Sequence, residues 1–159
     1  MTLKDVEERP EVLLNHLLSL WESSVRATHH FLSEKDIVLL RPMVLEAVKK
    51  VPVLLLAMEQ ETPVAFLGMA DDSVEMLFVH AAFRGKGAGG ALLREALKRG
   101  AKRVDVNEQN PQALSFYLHM GFAVSGRDET DGLGLPFPLL HLHLVEGTSP
   151  FLQSPDKNI

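Results

Sequence analysis

The chain has 159 residues, 46% of them hydrophobic and 23% charged, with a formal net charge of -5 and zero cysteines. That length fits one domain burying one core without covalent staples. The missing cysteine excludes disulfides, thiolate metal sites and every cysteine nucleophile, and the acidic balance argues against nucleic acid as a partner.

Met1 to Glu8 lacks the apolar stretch of a signal peptide, and no later run reaches membrane-spanning length. A cytoplasmic chain with no membrane partner is expected. From Val12 to Ser24, the residues Leu13, Leu14, Leu17, Leu18 and Trp21 recur at helical spacing and predict an amphipathic helix. Ser33-Glu34-Lys35-Asp36 has the form of a capping box opening a second helix, which Pro42 is expected to break or kink. Val53 to Met58 and Val64 to Ala70 are apolar runs around a polar turn, and Val74 to Val79 follows the turn Asp71-Asp72-Ser73; three strands are predicted. Gly89 to Arg99 carries Leu93, Ala96 and Leu97 on one helical face and ends at Gly100. Val104 to Val106 is a short strand. Asn110-Pro111 then caps a helix with Ala113, Phe116, Tyr117 and Met120 on one face, closed by Gly121. Phe122 to Glu129 and Leu139 to Val145 are the last strands, joined by the stretch Asp131 to Pro138. This order predicts a mixed α/β sheet in one domain over residues 1–146, followed by a polar tail, 147–159, that is expected to fray.

The segment between Val79 and Gly90 carries the chemistry. Glycines that follow a strand and open a helix let backbone amides approach an anion, and the helix N-terminus adds partial positive charge. From Arg84 to Arg103 the local balance is +6, so the remainder of the chain is -11. A polyphosphate ligand explains both features. Gly85, Gly87 and Gly90 satisfy the dinucleotide fingerprint G-x-G-x-x-G, with Asp105 about twenty residues beyond. Against a dinucleotide-binding protein, the glycines come late after the strand, Asp105 sits inside its strand, and too little chain follows for a doubly wound sheet. A P-loop is excluded, because Gly87 rather than Ser or Thr follows Lys86.

The alternative pattern is R-x-x-G-x-G, formed by Arg84, Gly87 and Gly89, followed by Asn107-x-x-Asn110-x-x-Ala113-x-x-Phe116-Tyr117-x-x-x-Gly121-Phe122. Together these resemble the GNAT family of acetyl-CoA-dependent N-acetyltransferases, and the resemblance runs from the first helix to the last strand. It implies a central, mostly antiparallel sheet, splayed where the cofactor arm lies and flanked by helices. Thr2 to Val6, a poor strand, departs from the family's usual first strand.

The resemblance implies that the backbone of Leu77, Phe78 and Val79 holds the pantetheine arm of acetyl-CoA, and that Arg84, Gly85, Lys86, Gly87, Ala88, Gly89 and Gly90 wrap its pyrophosphate. Asn107, Asn110, Phe116 and Tyr117 match positions beside the cofactor. Tyr117 is the expected catalytic acid, since a phenol is protonated at neutral pH and can donate a hydrogen bond or proton to a departing thiolate. The acceptor must also lose a proton. For a lysine-type amine the neutral form at pH 7.5 costs about 4 kcal/mol, but for a protein N-terminus only about 0.5 kcal/mol. Glu75 is the candidate base, with His29 as its rival. Trp21, Thr28 and His29 are candidate acceptor contacts, and the acceptor is expected to meet the helices between Val12 and Val48 and the loop Asp131 to Pro138, where Phe137 and Trp21 suggest a partly apolar pocket. His141 and His143 share a strand face, but no third ligand follows from spacing and no metal is expected. The acetyl group is expected to pass directly to a primary amine of a small molecule or protein, by a monomer or homodimer; a non-catalytic CoA-binding sensor is the alternative from another class.

Overall fold

The computed structural model describes residues 1–145. The tail predicted over 147–159 lies outside them. The elements are β1 (Thr2–Asp5), α1 (Glu11–Thr28), α2 (Glu34–Lys50), β2 (Val53–Glu59), β3 (Thr62–Ala70), β4 (Ser73–Val79), α3 (Ala88–Lys98), β5 (Arg103–Asn107), α4 (Pro111–His119), β6 (Phe122–Asp128) and β7 (Leu139–Leu144). They build a seven-stranded sheet in the order β1-β2-β3-β4-β5-β7-β6. Only β4 and β5 run parallel.

Helices cover both faces of β2 and β3, which is why these strands read as continuous apolar runs rather than alternating ones. Leu54, Leu56 and Phe66 pack with Leu17, Leu20, Trp21 and Ile37 of α1 and α2. On the other face Leu55, Leu67, Val104, Val106 and Leu142 pack with Leu92, Leu93 and Ala96 of α3 and Phe116 of α4.

Two expectations change. Residues Thr2–Asp5 do form a strand, paired antiparallel with Leu55–Met58. All four of its residues are exposed, so no apolar alternation marked it; the strand is held by backbone pairing along β2, and Asp5 reaches Arg99 at 2.6 Å. Helix α2 opens on the predicted capping box, with Ser33 N–H to Asp36 Oδ2 at 2.9 Å and Asp36 N–H to Ser33 Oγ at 3.1 Å, but it runs through Pro42 without a break. Pro42 and Val38 are exposed, so water can satisfy the Val38 carbonyl that proline leaves without an amide.

The site is prepared by an irregularity in β4. Met76 pairs with Gly68 and Val74 with Met69, which leaves Glu75 as an extra residue in a β-bulge. Gly68 makes room for this: a Cβ there would lie 2.8 Å from Met76 Cγ. Beside the bulge, β4 and β5 pair only at Ser73 with Arg103 and Val74 with Val104, and then part. The splay implied by the resemblance is therefore present, and β4 backbone groups that face β5 beyond Val74 have no strand partner among the described residues.

Candidate active site

After β4 the chain turns through a 3-10 segment, Ala81–Phe83, anchored by Ala82 N–H to His80 Nδ1 at 3.0 Å and Ala81 N–H to Ser23 Oγ at 3.2 Å. Gly85 (φ 77°) and Gly87 (φ 88°) then take left-handed conformations that a side chain would disfavour. They turn the chain into α3, which begins with no side-chain cap. Among the described residues, the amides of Gly87, Ala88, Gly89 and Gly90 meet no acceptor. Four free donors at a helix N-terminus form an anion cradle. The Arg84 guanidinium bonds Gln112 of α4, and the Lys86 ammonium stands 5.2 Å from the Phe83 ring centroid.

The basic cluster seen in the sequence is spread by the helix. Arg99 pairs with Asp5 and with Glu95, and Arg103 pairs with Asp72 at 2.8 Å, all at the end of α3 remote from the glycines. Eleven helical residues extend about 16 Å. Arg84 and Lys86 are the cations beside the cradle.

Where the strands part, a cavity of about 570 Å³ opens between α1, α2, the split sheet and the segment 131–139. Its walls include Trp21, Phe31, Phe78 and Phe137, and Phe31 meets Phe137 at 5.5 Å between ring centroids. Among the described residues its charged lining consists of carboxylates, Glu75, Asp105 and Asp131, with no lysine or arginine. Asp131 Oδ1 accepts from the amides of Leu133 and Leu135, and Asp105 is bound to His141 at 2.6 Å. Glu75, on the bulge, makes no hydrogen bond or close ion pair among the described residues and lies within electrostatic reach of Arg103.

Tyr117 lies on the cavity side of α4, between Phe116 and Phe122, whose rings meet it edge-on at 5.0 and 5.6 Å. Only 6% of the residue is exposed, and burial pushes its phenol well above the usual range. Its hydroxyl has no hydrogen-bond partner among the described residues, so its donor is available to the cavity.

Asn110 caps α4 through Oδ1, which accepts from Ala113 N–H at 3.2 Å, while Nδ2 reaches to 3.5 Å from His29 Nε2. His29 Nδ1 lies 2.7 Å from Thr28 Oγ1, whose hydroxyl hydrogen goes to the Ser24 carbonyl at 2.8 Å. That hydroxyl must therefore accept from Nδ1–H, which leaves Nε2 as the acceptor. Burial, and next His30, lower the His29 pKa from 6.5 to about 4. The unfolded chain then binds the proton first, so stability falls as pH drops from 6.5 through 4. Up to about 3 kcal/mol is lost across that window in the wild type. Urea unfolding at pH 7 and pH 4.5 is expected to show a smaller drop for His29→Gln; an equal drop in both proteins assigns the acid sensitivity elsewhere. His141, held between Asp105 and Asp128 with its pKa raised, acts in the opposite direction and is common to both proteins.

Of the other positions singled out in the sequence, Leu77, Phe78, Asn107 and Trp21 line the cavity, and Val79 ends β4 just before the cradle. Phe116 packs in the core beneath α4 and does not line the cavity. Thr28 touches His29 and not the cavity. No described group of histidine, aspartate or glutamate side chains is arranged to hold a metal ion. The cavity draws its lining from the helical region 12–48 and the loop 131–138, where acceptor contacts were expected, but Asp131, Phe31 and the lining role of Asp105 were not singled out. Asp131-Gly132 carried a turn signal, but nothing local marks a residue brought to a cavity from a distant loop.

A mixed sheet that divides between two parallel strands, above an uncapped glycine-bearing helix N-terminus, is the frame of an acyl-CoA-dependent transferase of the GNAT type. Residues 35–138 match the family model described as "Acetyltransferase (GNAT) domain", and the chain belongs to that family of acetyl-CoA-dependent N-acetyltransferases. Among its relatives, the peptidyl-lysine N-acetyltransferase YjaB of Salmonella typhimurium is 39% identical over 127 residues, spanning 79% of this chain and 88% of that protein. The solution structure of apo-form YjaB from Escherichia coli superposes with a TM-score of 0.81 at 36% identity, covering 91% of this chain and 99% of the other. PaiA N-acetyltransferase from Thermoplasma acidophilum, solved in complex with coenzyme A, shares the fold with a TM-score of 0.65 at 22% identity, covering 89% and 98%. The free amides of the cradle and the unpaired edge of β4 fit acetyl-CoA, and the weaker dinucleotide alternative falls with the two-residue parallel contact between β4 and β5. No described helix is long and apolar enough to cross a membrane.

Proposed function

We propose that the acceptor is a lysine side chain of a protein or peptide, acetylated in a cytoplasmic setting. The observation that carries this is the cavity lining, apolar and aromatic along its walls and, among the described residues, charged by carboxylates alone. A four-carbon stem gains from burial against Trp21, Phe31 and Phe137, about 0.8 kcal/mol per methylene, while an ammonium is attracted by Glu75, Asp105 and Asp131. An anionic or strongly polar acceptor is disfavoured by the same lining. The Salmonella typhimurium relative carries peptidyl-lysine acetylation in its name, which agrees in chemical class.

Acetyl-CoA, when bound, supplies an acetyl thioester. In this proposal Leu77, Phe78 and Val79 offer backbone groups to its arm, Asn107 and Asn110 flank it, and Arg84 with the amides from Gly85 to Gly90 neutralises the pyrophosphate. Glu75 takes the proton of the ammonium, directly or through water. Tyr117 offers its hydroxyl hydrogen toward the sulfur.

The test measures thiol release from acetyl-CoA with a panel of acceptors. Lysine-containing peptides are expected to exceed taurine, a zwitterionic amine carrying a sulfonate, by at least tenfold in kcat/KM. Equal rates for the two would overturn the lysine assignment, and cofactor binding with no acceptor-dependent thiol release would favour a CoA-binding sensor.

A further inference from the structure

The pair Thr28 and His29 was expected to touch the acceptor as two neighbouring contacts. The hydrogen bonds divide the work differently. Thr28 Oγ1 gives its hydrogen to the Ser24 carbonyl at 2.8 Å and sits 2.7 Å from His29 Nδ1, so it is fully engaged inside the protein and fixes the ring as the Nδ1–H tautomer. The ring is also held by packing, with Phe31 at 5.4 Å and Phe78 at 6.4 Å between centroids. Its remaining polar atom is Nε2. Asn110 Nδ2 approaches it at 3.5 Å, the outer limit for a hydrogen bond, so the lone pair of Nε2 is only weakly used. His29 and Asn110 both line the cavity, as do Glu75 and Tyr117.

We infer that His29 is an acceptor-positioning residue, whose Nε2 accepts one N–H of the incoming amine and so turns the amine lone pair toward the opening between β4 and β5. This rests on the lysine-acetylating function proposed above. Glu75 removes the ammonium proton, and His29 exchanges none. An amine that has lost one proton still rotates freely, and an acceptor fixed on one N–H removes that freedom. A protonated imidazole could not serve, because both its nitrogens would donate. The buried position keeps the ring neutral throughout the working range, with His30 beside it and the carboxylates of Glu75 and Asp131 across the cavity. Thr28 is the orienting partner of the ring, two bonds away from the substrate.

The test uses the full chain, a lysine-containing peptide as acceptor, and three variants. His29→Leu is expected to raise the peptide KM at least tenfold while the KM for acetyl-CoA stays within twofold. His29→Gln, which places an amide oxygen near the position of Nε2, is expected to recover most of that loss. Thr28→Val, which frees the tautomer, is expected to show a smaller rise in the same KM. Long-range proton–nitrogen spectra of the ring should show Nδ1–H in the wild type and a mixture in Thr28→Val. Thermal melts with and without acetyl-CoA verify folding of each variant. If His29→Leu keeps the wild-type peptide KM and kcat, or if Gln is as damaging as Leu in folded protein, the positioning role is wrong while the lysine assignment stands. A wild type that acetylates no amine would instead overturn that assignment and this role with it.

Discussion

Tyr117→Phe is expected to lower kcat about 100-fold or more while leaving the dissociation constant of acetyl-CoA within about threefold. The substitution removes one oxygen from a side chain that is 6% exposed, and the ring keeps its edge-on contacts with Phe116 and Phe122, so folding and cofactor binding have little reason to change. What is lost is the phenol donor that faces the cavity. Burial raises the phenol pKa above its ordinary value of 10, which makes it a weaker acid than a thiol near 8.5. Complete proton transfer to the leaving thiolate is then uphill by about 2 kcal/mol or more. The hydroxyl therefore stabilises the departing charge mainly through a hydrogen bond, in a site where low dielectric strengthens it. The same shift predicts that Tyr117 adds no alkaline limb to the rate profile below pH 10. Isothermal calorimetry for the cofactor and stopped-time thiol assays separate the two quantities; an unchanged kcat would remove Tyr117 from the chemistry.

Glu75→Gln should be equally damaging for a lysine acceptor near neutral pH but not for a weakly basic one. At pH 7.5 the neutral form of a lysine amine lies about 4 kcal/mol above the ammonium. With Glu75 gone, kcat/KM for a lysine peptide is expected to fall about 100-fold at pH 7 and then to rise about tenfold per pH unit toward pH 10, following the free amine. A peptide N-terminus with pKa near 7.8 needs only about 0.5 kcal/mol at pH 7.5 and should lose much less. The bulge supports the assignment, since it leaves Glu75 outside the β3 pairing at the point where the strands part, with no close ion pair among the described residues and with Arg103 within electrostatic reach. A variant profile parallel to the wild type would move the base elsewhere. His29 is a poor alternative, because a ring with pKa about 4 holds a proton weakly at neutral pH.

Much of this arrangement was legible in the chain itself, and where it was not the reasons are physical. The glycines at 85 and 87, the cap at Asn110 and the capping box at Ser33 act within a few residues, and each recurs in the fold with the geometry its chemistry demands. Local signals failed where distant partners decided the outcome. Thr2–Asp5 became a strand because β2 offered it an edge, and α2 continued past Pro42 at a surface position, where Val38 and Pro42 are exposed and water can reach the carbonyl left without a donor. The +6 cluster, read with the glycines as one polyphosphate site, was divided by the length of α3 and by ion pairs to Asp5 and Asp72.

The family, the strands β2 to β7 and the anion cradle were determined by sequence alone, because spacing along a strand or helix dictates which backbone and side-chain groups meet. The acceptor end was not. Trp21, His29, Glu75, Asp105, Tyr117 and Asp131 lie far apart in the chain and share no spacing rule, and they meet only where β4 bulges at Glu75 and parts from β5. Tertiary packing also set the protonation of the site: burial, which no short motif encodes, holds His29 neutral and Tyr117 protonated, and so decides which of them can accept a hydrogen and which can give one.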